Sequence, residues 1–250
     1  MPEPQHILAR RGDIAERVII SGDPARVVQL SGLLKRRKLV NEHRGFLTYT
    51  GEYEGKEYSL ACHGVGGPSA AIVVEELAML GARAIVRLGT CGGLLKPMKA
   101  GDLVVATGAG YLGGTLDYYF RGRKPTPKPD RGLTGLIMES AKEEGMGYYA
   151  GRVFSSDAFY AEDPGFVGRM ARRGYVAVEM ECATLFGLGM LRGVKTASAL
   201  LVSDNVARAE PMSGAGALGS SVAKAAKVVL KSLNRVSLQR PGRPRRLDTP

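Results

Sequence analysis

The feature that most limits how this chain can fold is an alternation: short apolar runs, each closed by glycine or charge, take turns with segments of helical periodicity. Apolar runs of roughly four to eight residues suit strands buried on both faces, and a helix between two such strands supplies the crossover that parallel pairing requires. Val18-Ile19-Ile20 reads as a first strand, and residues 24–34 as the helix after it. Residues 46–53 and 56–62 read as strands joined at Glu54-Gly55, followed by a helix over 68–80 and strands over 84–88 and 103–107. Beyond a loop at 122–132 the pattern predicts a helix over 133–145, a strand over 151–154, a helix over 164–173, the apolar run 176–178 and a helix over 182–191. A strand over 196–202 and a helix over 217–233 complete the series. This order predicts an α/β fold with a mixed central β-sheet flanked by helices. With 250 residues, 44% of them hydrophobic, the chain suits one large domain. That domain is expected over 1–234, with 235–250 as a basic, disordered tail.

The net charge of +11 calls for an explanation, because basic chains often bind nucleic acid. Residues 234–250 hold five arginines against Asp248, so the tail carries +4 of that total. The rest fits either a cationic cleft for an anionic substrate or a nucleic-acid surface, and charge alone leaves the two level. No apolar stretch reaches the roughly 18–20 residues of a membrane helix, and Met1-Pro2-Glu3-Pro4-Gln5-His6 lacks the apolar core of a leader. A cytoplasmic protein with no membrane partner is expected. Cys62, Cys91 and Cys182 are too few and scattered for a disulfide framework or a metal site, so reduced thiols and no metal are expected.

Chemistry concentrates where strands end. Gly22-Asp23-Pro24-Ala25-Arg26 follows the first strand, with Asp23 at the N-cap and Pro24 at the first helical position. Free N–H groups near Gly22, the helix dipole and Arg26 suit an anion, although alone the segment reads as an ordinary strand-to-helix turn. Arg87 interrupts an apolar run that continues as Leu88-Gly89-Thr90-Cys91-Gly92-Gly93. Burying it demands an anionic partner, either a ligand in the crevice beyond the strand's carboxyl end or a core carboxylate. His63-Gly64-Val65-Gly66-Gly67-Pro68-Ser69 has Ser69 where a dinucleotide fingerprint requires glycine, which argues against a nicotinamide cofactor. Cys62 and His63 point to opposite faces of a strand and read as structural. Glu179-Met180-Glu181 puts two carboxylates at the start of a helix; one fits a helix-start acid, and the other, Glu181, suits a ribose cis-diol. Ser203-Asp204 ends another buried strand, where Asp204 reads equally as a general acid or a turn residue.

Together these segments resemble the purine nucleoside and uridine phosphorylase family. The likeness runs in order through Pro4-Gln5-His6-Ile7, Gly22-Asp23-Pro24, Asn41-Glu42-His43-Arg44-Gly45, His63 to Ser69, Arg87 to Gly92, Ser155-Ser156-Asp157-Ala158-Phe159-Tyr160, Val178-Glu179-Met180-Glu181 and Ser203-Asp204. It implies that Gly22, Arg26, Arg87 and Thr90 hold phosphate, joined by Arg44 from a neighbouring subunit. It further implies ribose against Met180 and Glu181, with the neighbour's His6 at the 5′ end. The base would meet Cys91, Gly92, Phe159, Val178, Glu179, Ser203 and Asp204. The implied activity is phosphorolysis of a purine nucleoside, with Asp204 and Arg87 as catalytic groups. Phosphate is the co-substrate and no cofactor is implied; the implied assembly is a homohexamer with shared sites, a trimer of dimers.

The chemistry suits these residues on its own terms. A leaving purine gains negative character, so a carboxylic acid at N7 assists its departure, provided burial or a neighbouring negative charge keeps it protonated near neutrality. Two departures from the family pattern stand out. Bacterial members of the purine branch carry an arginine about a dozen residues after the aspartate, where this chain has Ala217; Arg208 is the nearest substitute. Uridine-specific members place a glutamine and an arginine after the Phe-Tyr pair, where this chain has Ala161-Glu162-Asp163-Pro164-Gly165. Uridine and 5′-methylthioadenosine phosphorolysis are the alternative activities, and a nucleic-acid-binding module is the alternative of another class.

Overall fold

The computed structural model describes residues 3–161, 165–209, 212 and 218–238. Nine strands form one sheet: β1 (Arg17–Ser21), β2 (Lys35–Asn41), β3 (Thr48–Tyr53), β4 (Lys56–Cys62), β5 (Ala84–Gly93), β6 (Leu103–Leu112), β7 (Tyr148–Ser156), β8 (Tyr175–Glu179) and β9 (Lys195–Asn205). Their order is β2-β3-β4-β1-β5-β8-β7-β6-β9, and β9 pairs back onto β5. Five strands therefore close into a ring, from which β1, β4, β3 and β2 extend as a flange. Pairing is mixed as expected: β1 runs parallel to β4 and β5, whereas β2-β3-β4 is an antiparallel meander.

Among the described residues, seven α-helices cover the sheet: α1 (Pro24–Ser31), α2 (Gly67–Leu80), α3 (Gly114–Tyr119), α4 (Arg131–Glu143), α5 (Phe166–Arg172), α6 (Cys182–Arg192) and α7 (Gly219–Arg235). The two-residue period of the strands divides the core. Val18, Ile20, Ile85, Val104 and Leu200 face α2, α3 and α6. Their neighbours Ile19, Val86, Leu103, Val105 and Leu201 face α1, α4 and α7. A smaller cluster of Phe154, Phe166, Met170, Tyr175 and Val178 seats α5 at one end.

Two elements depart from the sequence pattern. β2 begins Lys35-Arg36-Arg37-Lys38, four exposed cations with no apolar period, and it pairs only with β3 through an irregular register. α3 lies in a segment whose glycines, Gly113 and Gly114, obscure its start. Elsewhere the elements match, with β5, β6, β7 and β9 running several residues beyond their apolar cores. The extensions of β5, β7 and β9 carry those strand ends into the crevice described below. The family-pattern positions Ala217 and 162–164, and tail residues 239–250, lie outside the described residues; α7 itself reaches Arg235, and Val236 packs into the core.

The fully buried Tyr58 on β4 ties the flange to α7 by donating its hydroxyl to Asn234 Oδ1 at 2.7 Å. Tyr58→Phe is expected to cost about 1 kcal/mol and to lower the thermal midpoint by roughly 3 °C, measurable by calorimetry.

Candidate active site

A cleft of about 440 Å³ opens where the carboxyl ends of β1, β5 and β9 meet the start of α6. The chain converges here because β5 leaves β1 after Arg87 and pairs with β8 instead, through Gly92 to Val178 and Gly93 to Ala177. That antiparallel turn brings Glu179 and Glu181 back along β5 toward Arg87. A depression of about 540 Å³ near Gly101 and Ser221 is larger, but Asp102 and Lys224 are its only charged lining residues.

At one end of the cleft stand Gly22, Arg26, Arg87 and Thr90. Asp23 caps α1 by accepting from Ala25 N at 2.8 Å, as the sequence predicts, and so fixes the direction in which Arg26 leaves the helix. Gly22 is required by close approach: a Cβ there would lie 2.8 Å from Gly64 O. Burial drags the Arg26 guanidinium below its ordinary value; Asp23 opposes this shift and Arg87 adds to it. The site thus holds two arginines near enough to repel each other, an arrangement that favours an anion between them.

Arg87 is buried, and the core-carboxylate partner expected from the sequence is present. Its Nη2 donates to Glu181, and Nη1 lies 3.5 Å from Glu179 Oε2. Burial opposes its charge, but Glu181 and then Glu179 outweigh burial and hold its pKa above the ordinary value. Nε and Nη1 are buried and have no hydrogen-bond acceptor among the described residues. Gly89 makes room for the guanidinium, since a Cβ there would sit 2.2 Å from Nη1.

The carboxylates have separate duties. Glu179 accepts from Glu181 N at 2.8 Å, from Cys182 N at 2.9 Å and from Ser155 Oγ, so it caps α6 and braces Arg87. Glu181 accepts from Gly66 N at 2.7 Å and from Arg87. Burial works against its charge, and Arg87 with Gly66 N brings its pKa below the ordinary carboxylate value. Met180 lies between them on the cleft wall.

The rest of the lining is more apolar: Cys91, Gly92, Phe159 and Val178 contribute to it, with Val206 and Met212. Asp204 stands here, its Oδ1 accepting from Ser203 Oγ at 2.6 Å, and Ser203 Oγ lies 3.2 Å from Cys91 O. Arg208 is turned to the β5–β6 connection, where it donates to Lys96 O and Met98 O at 2.9 Å.

His6 and Arg44 are absent from this cleft's lining. His43 Nδ1 lies 3.4 Å from His6 O, and the His6 ring meets Phe46 edge-on. Arg44 is exposed and holds a left-handed φ of 55°, a strained conformation for a non-glycine residue. Sequence reasoning passed over Val65, Ser156, Val206 and Met212 as lining residues. Val65 and Ser156 stand inside motifs already quoted and Val206 follows Asp204 by two residues, whereas nothing in the sequence marks Met212.

A family model described as "Phosphorylase superfamily" matches residues 16–236. The chain belongs to the phosphorylase superfamily. A guanosine phosphorylase of Halorubrum lacusprofundi is 35% identical over 82% of this chain and 85% of its own. A DeoD-type purine nucleoside phosphorylase of Geobacillus kaustophilus is 36% identical over 82% of this chain and 87% of its own. A uridine phosphorylase of Thermococcus kodakarensis is 35% identical over 80% and 76%. Among solved structures, the purine nucleoside phosphorylase of Toxoplasma gondii in complex with immucillin-H superposes with a TM-score of 0.85 at 27% identity, over 93% of this chain and 96% of that one. This phosphorylase is a pentosyltransferase, with the mixed-sheet fold of its relatives. No helix among its described residues is long and apolar enough to cross a membrane.

Behind Gly22 the phosphorylase buries His63 completely, and burial, with Arg87 adding to it, lowers this imidazole from 6.5 to about 4. The unfolded chain then binds more protons across that interval, so the His63 contribution to stability is complete above pH 6.5 and lost as pH falls to about 4. Replacing His63 with Leu should flatten the fall in unfolding free energy between pH 7 and about 4.5, measured by denaturant titration, by an amount on the order of 3 kcal/mol at most. Equal falls in both proteins would remove His63 as the cause.

Proposed function

We propose that this phosphorylase cleaves purine nucleosides with inorganic phosphate, releasing the free base and ribose 1-phosphate. One observation carries the reading: a single cleft is lined by two arginines, a buried carboxylate and a further carboxyl group, the group types that phosphate, ribose and a departing base call for.

Phosphate lies between Arg26, Arg87, Thr90 and the backbone at Gly22. Each charge-assisted hydrogen bond there contributes on the order of 1.5 to 3 kcal/mol. The ribose rests on Met180 with its 2′- and 3′-hydroxyls donating to Glu181. A phosphate oxygen forms its bond to C1′ as the C1′–N9 bond breaks, and the bonding pair passes into the purine. Asp204 delivers a proton to N7, so that the base leaves neutral. Ser203 serves both states of that acid: its hydroxyl donates to the carboxylate, and when Asp204 is protonated the hydroxyl donates to Cys91 O and accepts from the acid. Phe159 stacks on the base.

His6 and Arg44 act on a neighbouring subunit's cleft in a homo-oligomer, a hexamer in the assembly we favour. Their absence from this protomer's own cleft lining supports that arrangement, as do the exposed Leu8, Val65, Tyr118 and Tyr160, which offer apolar surface for an interface. The isolated subunit is then nearly inactive. Pyrimidine cleavage is the second reading, and the likeness to a uridine phosphorylase keeps it in play.

Incubation with inosine, guanosine, adenosine, 5′-methylthioadenosine and uridine, with and without phosphate, tests the reaction. Release of purine only when phosphate is present is the expected result; undiminished release in phosphate-free buffer overturns it. Asp204→Asn should lower turnover of 6-oxopurine nucleosides by about a hundredfold or more while leaving phosphate affinity within a fewfold. A loss of phosphate affinity instead would remove Asp204 from the role of acid.

A further inference from the structure

Glu76, in the third turn of α2, makes a set of contacts that the reaction chemistry above leaves unused. Its buried carboxylate accepts from three successive backbone N–H groups: Gln5 at 2.9 Å, His6 at 3.0 Å and Ile7 at 2.6 Å. The same carboxylate lies 2.7 Å from His6 Nδ1. Chain termini ordinarily fray, and a buried carboxylate is costly unless fully hydrogen-bonded. Here both conditions are answered at once, since the N–H groups of Ile7, Gln5 and His6 outweigh burial and keep Glu76 below its ordinary pKa. The segment is pinned on its other sides as well. Ile7 is fully buried, Leu8 N donates to Asn41 Oδ1 at 3.0 Å, and Asn41 Nδ2 donates to Phe46 O at 2.7 Å. Phe46 in turn meets the His6 ring edge-on, with centroids 6.0 Å apart. The imidazole held in this frame remains about one quarter exposed.

An ionised carboxylate only accepts hydrogen bonds, so the shared proton resides on Nδ1. In the neutral ring this makes Nε2, at the far edge, a bare acceptor. We propose that Glu76 is a positioning residue that fixes His6 in its Nδ1-protonated form, so that the imidazole delivered to a neighbouring cleft accepts a hydrogen bond from the 5′-hydroxyl of the nucleoside. The preferred substrate class is then the 5′-hydroxylated nucleosides, over 5′-deoxy and 5′-alkylthio analogues that have no proton to give. This selectivity rests on the phosphorolytic reading and on His6 reaching the neighbour's cleft; the protonation pattern rests on this chain alone.

The chain has three histidines, His6, His43 and His63, so nitrogen-15 spectra of histidine-labelled protein resolve each ring, with His6→Phe assigning the signals. At pH 8 without substrate, His6 should show a protonated Nδ1 and an unprotonated Nε2; the opposite pattern overturns the proposal. In turnover, the kcat/KM ratio of inosine to 5′-deoxyinosine should be about tenfold in the wild type, the value of one hydrogen bond. It should fall below about twofold in both Glu76→Gln and His6→Phe, with the loss in KM for inosine. A wild-type ratio retained by a Glu76→Gln protein of normal oligomeric state overturns the positioning role. Were Glu76→Gln not to fold, the wild-type spectrum and the His6→Phe ratio still decide. Absence of base release from every nucleoside would strike at phosphorolysis and take the selectivity with it, while the ring's protonation is still read separately.

Discussion

The ion pair between Arg87 and the carboxylates of Glu179 and Glu181 organises the rest of the structure. A buried arginine is tolerated only with anions around it, and here those anions come from one short antiparallel return of chain against β5. Glu179 spends its remaining lone pairs on the first N–H groups of α6, and Glu181 reaches the start of α2 through Gly66 N. Three elements therefore register on one guanidinium. Arg87 keeps two nitrogens without a hydrogen-bond acceptor among the described residues, so the group that fixes the fold is not fully satisfied by those residues.

Most of the sheet was legible because its strands are buried on both faces, and a two-sided burial writes itself as an apolar run. Val18 to Ile20, residues 84–88 and residues 196–202 all carry that signature. β2 was not legible, since an edge strand exposed to water needs no apolar face. α3 escaped for a different reason: its six residues are too few to display a helical period.

The cleft was readable at its charged end, where Arg87 contradicts its surroundings and each strand end carries a polar group. Most of the residues read as site residues, from Gly22 to Asp204, line one cavity. Arg208 illustrates the limit of that reading: sequence distance made it the nearest cation to Asp204, but the β5–β6 carbonyls take its guanidinium. Glu76 marks another. Nothing in a helix of mostly apolar residues announces that one carboxylate will gather a distant N-terminal segment, because that contact spans about seventy residues of sequence and exists only in three dimensions.

The closure of β9 onto β5 has a consequence for how copies of this protein can meet. A ring has no free backbone rows along its joined strands, so the flange is left as the place where a foreign strand could dock. That rim is β2, where Lys35, Arg36, Arg37 and Lys38 crowd like charge together, Arg36 takes a left-handed φ of 49° and the register slips. A second copy approaching edge to edge would align eight cations on a distorted backbone. Open-ended fibre growth through the sheet is thereby suppressed, and association is directed to side-chain surfaces that can close on themselves.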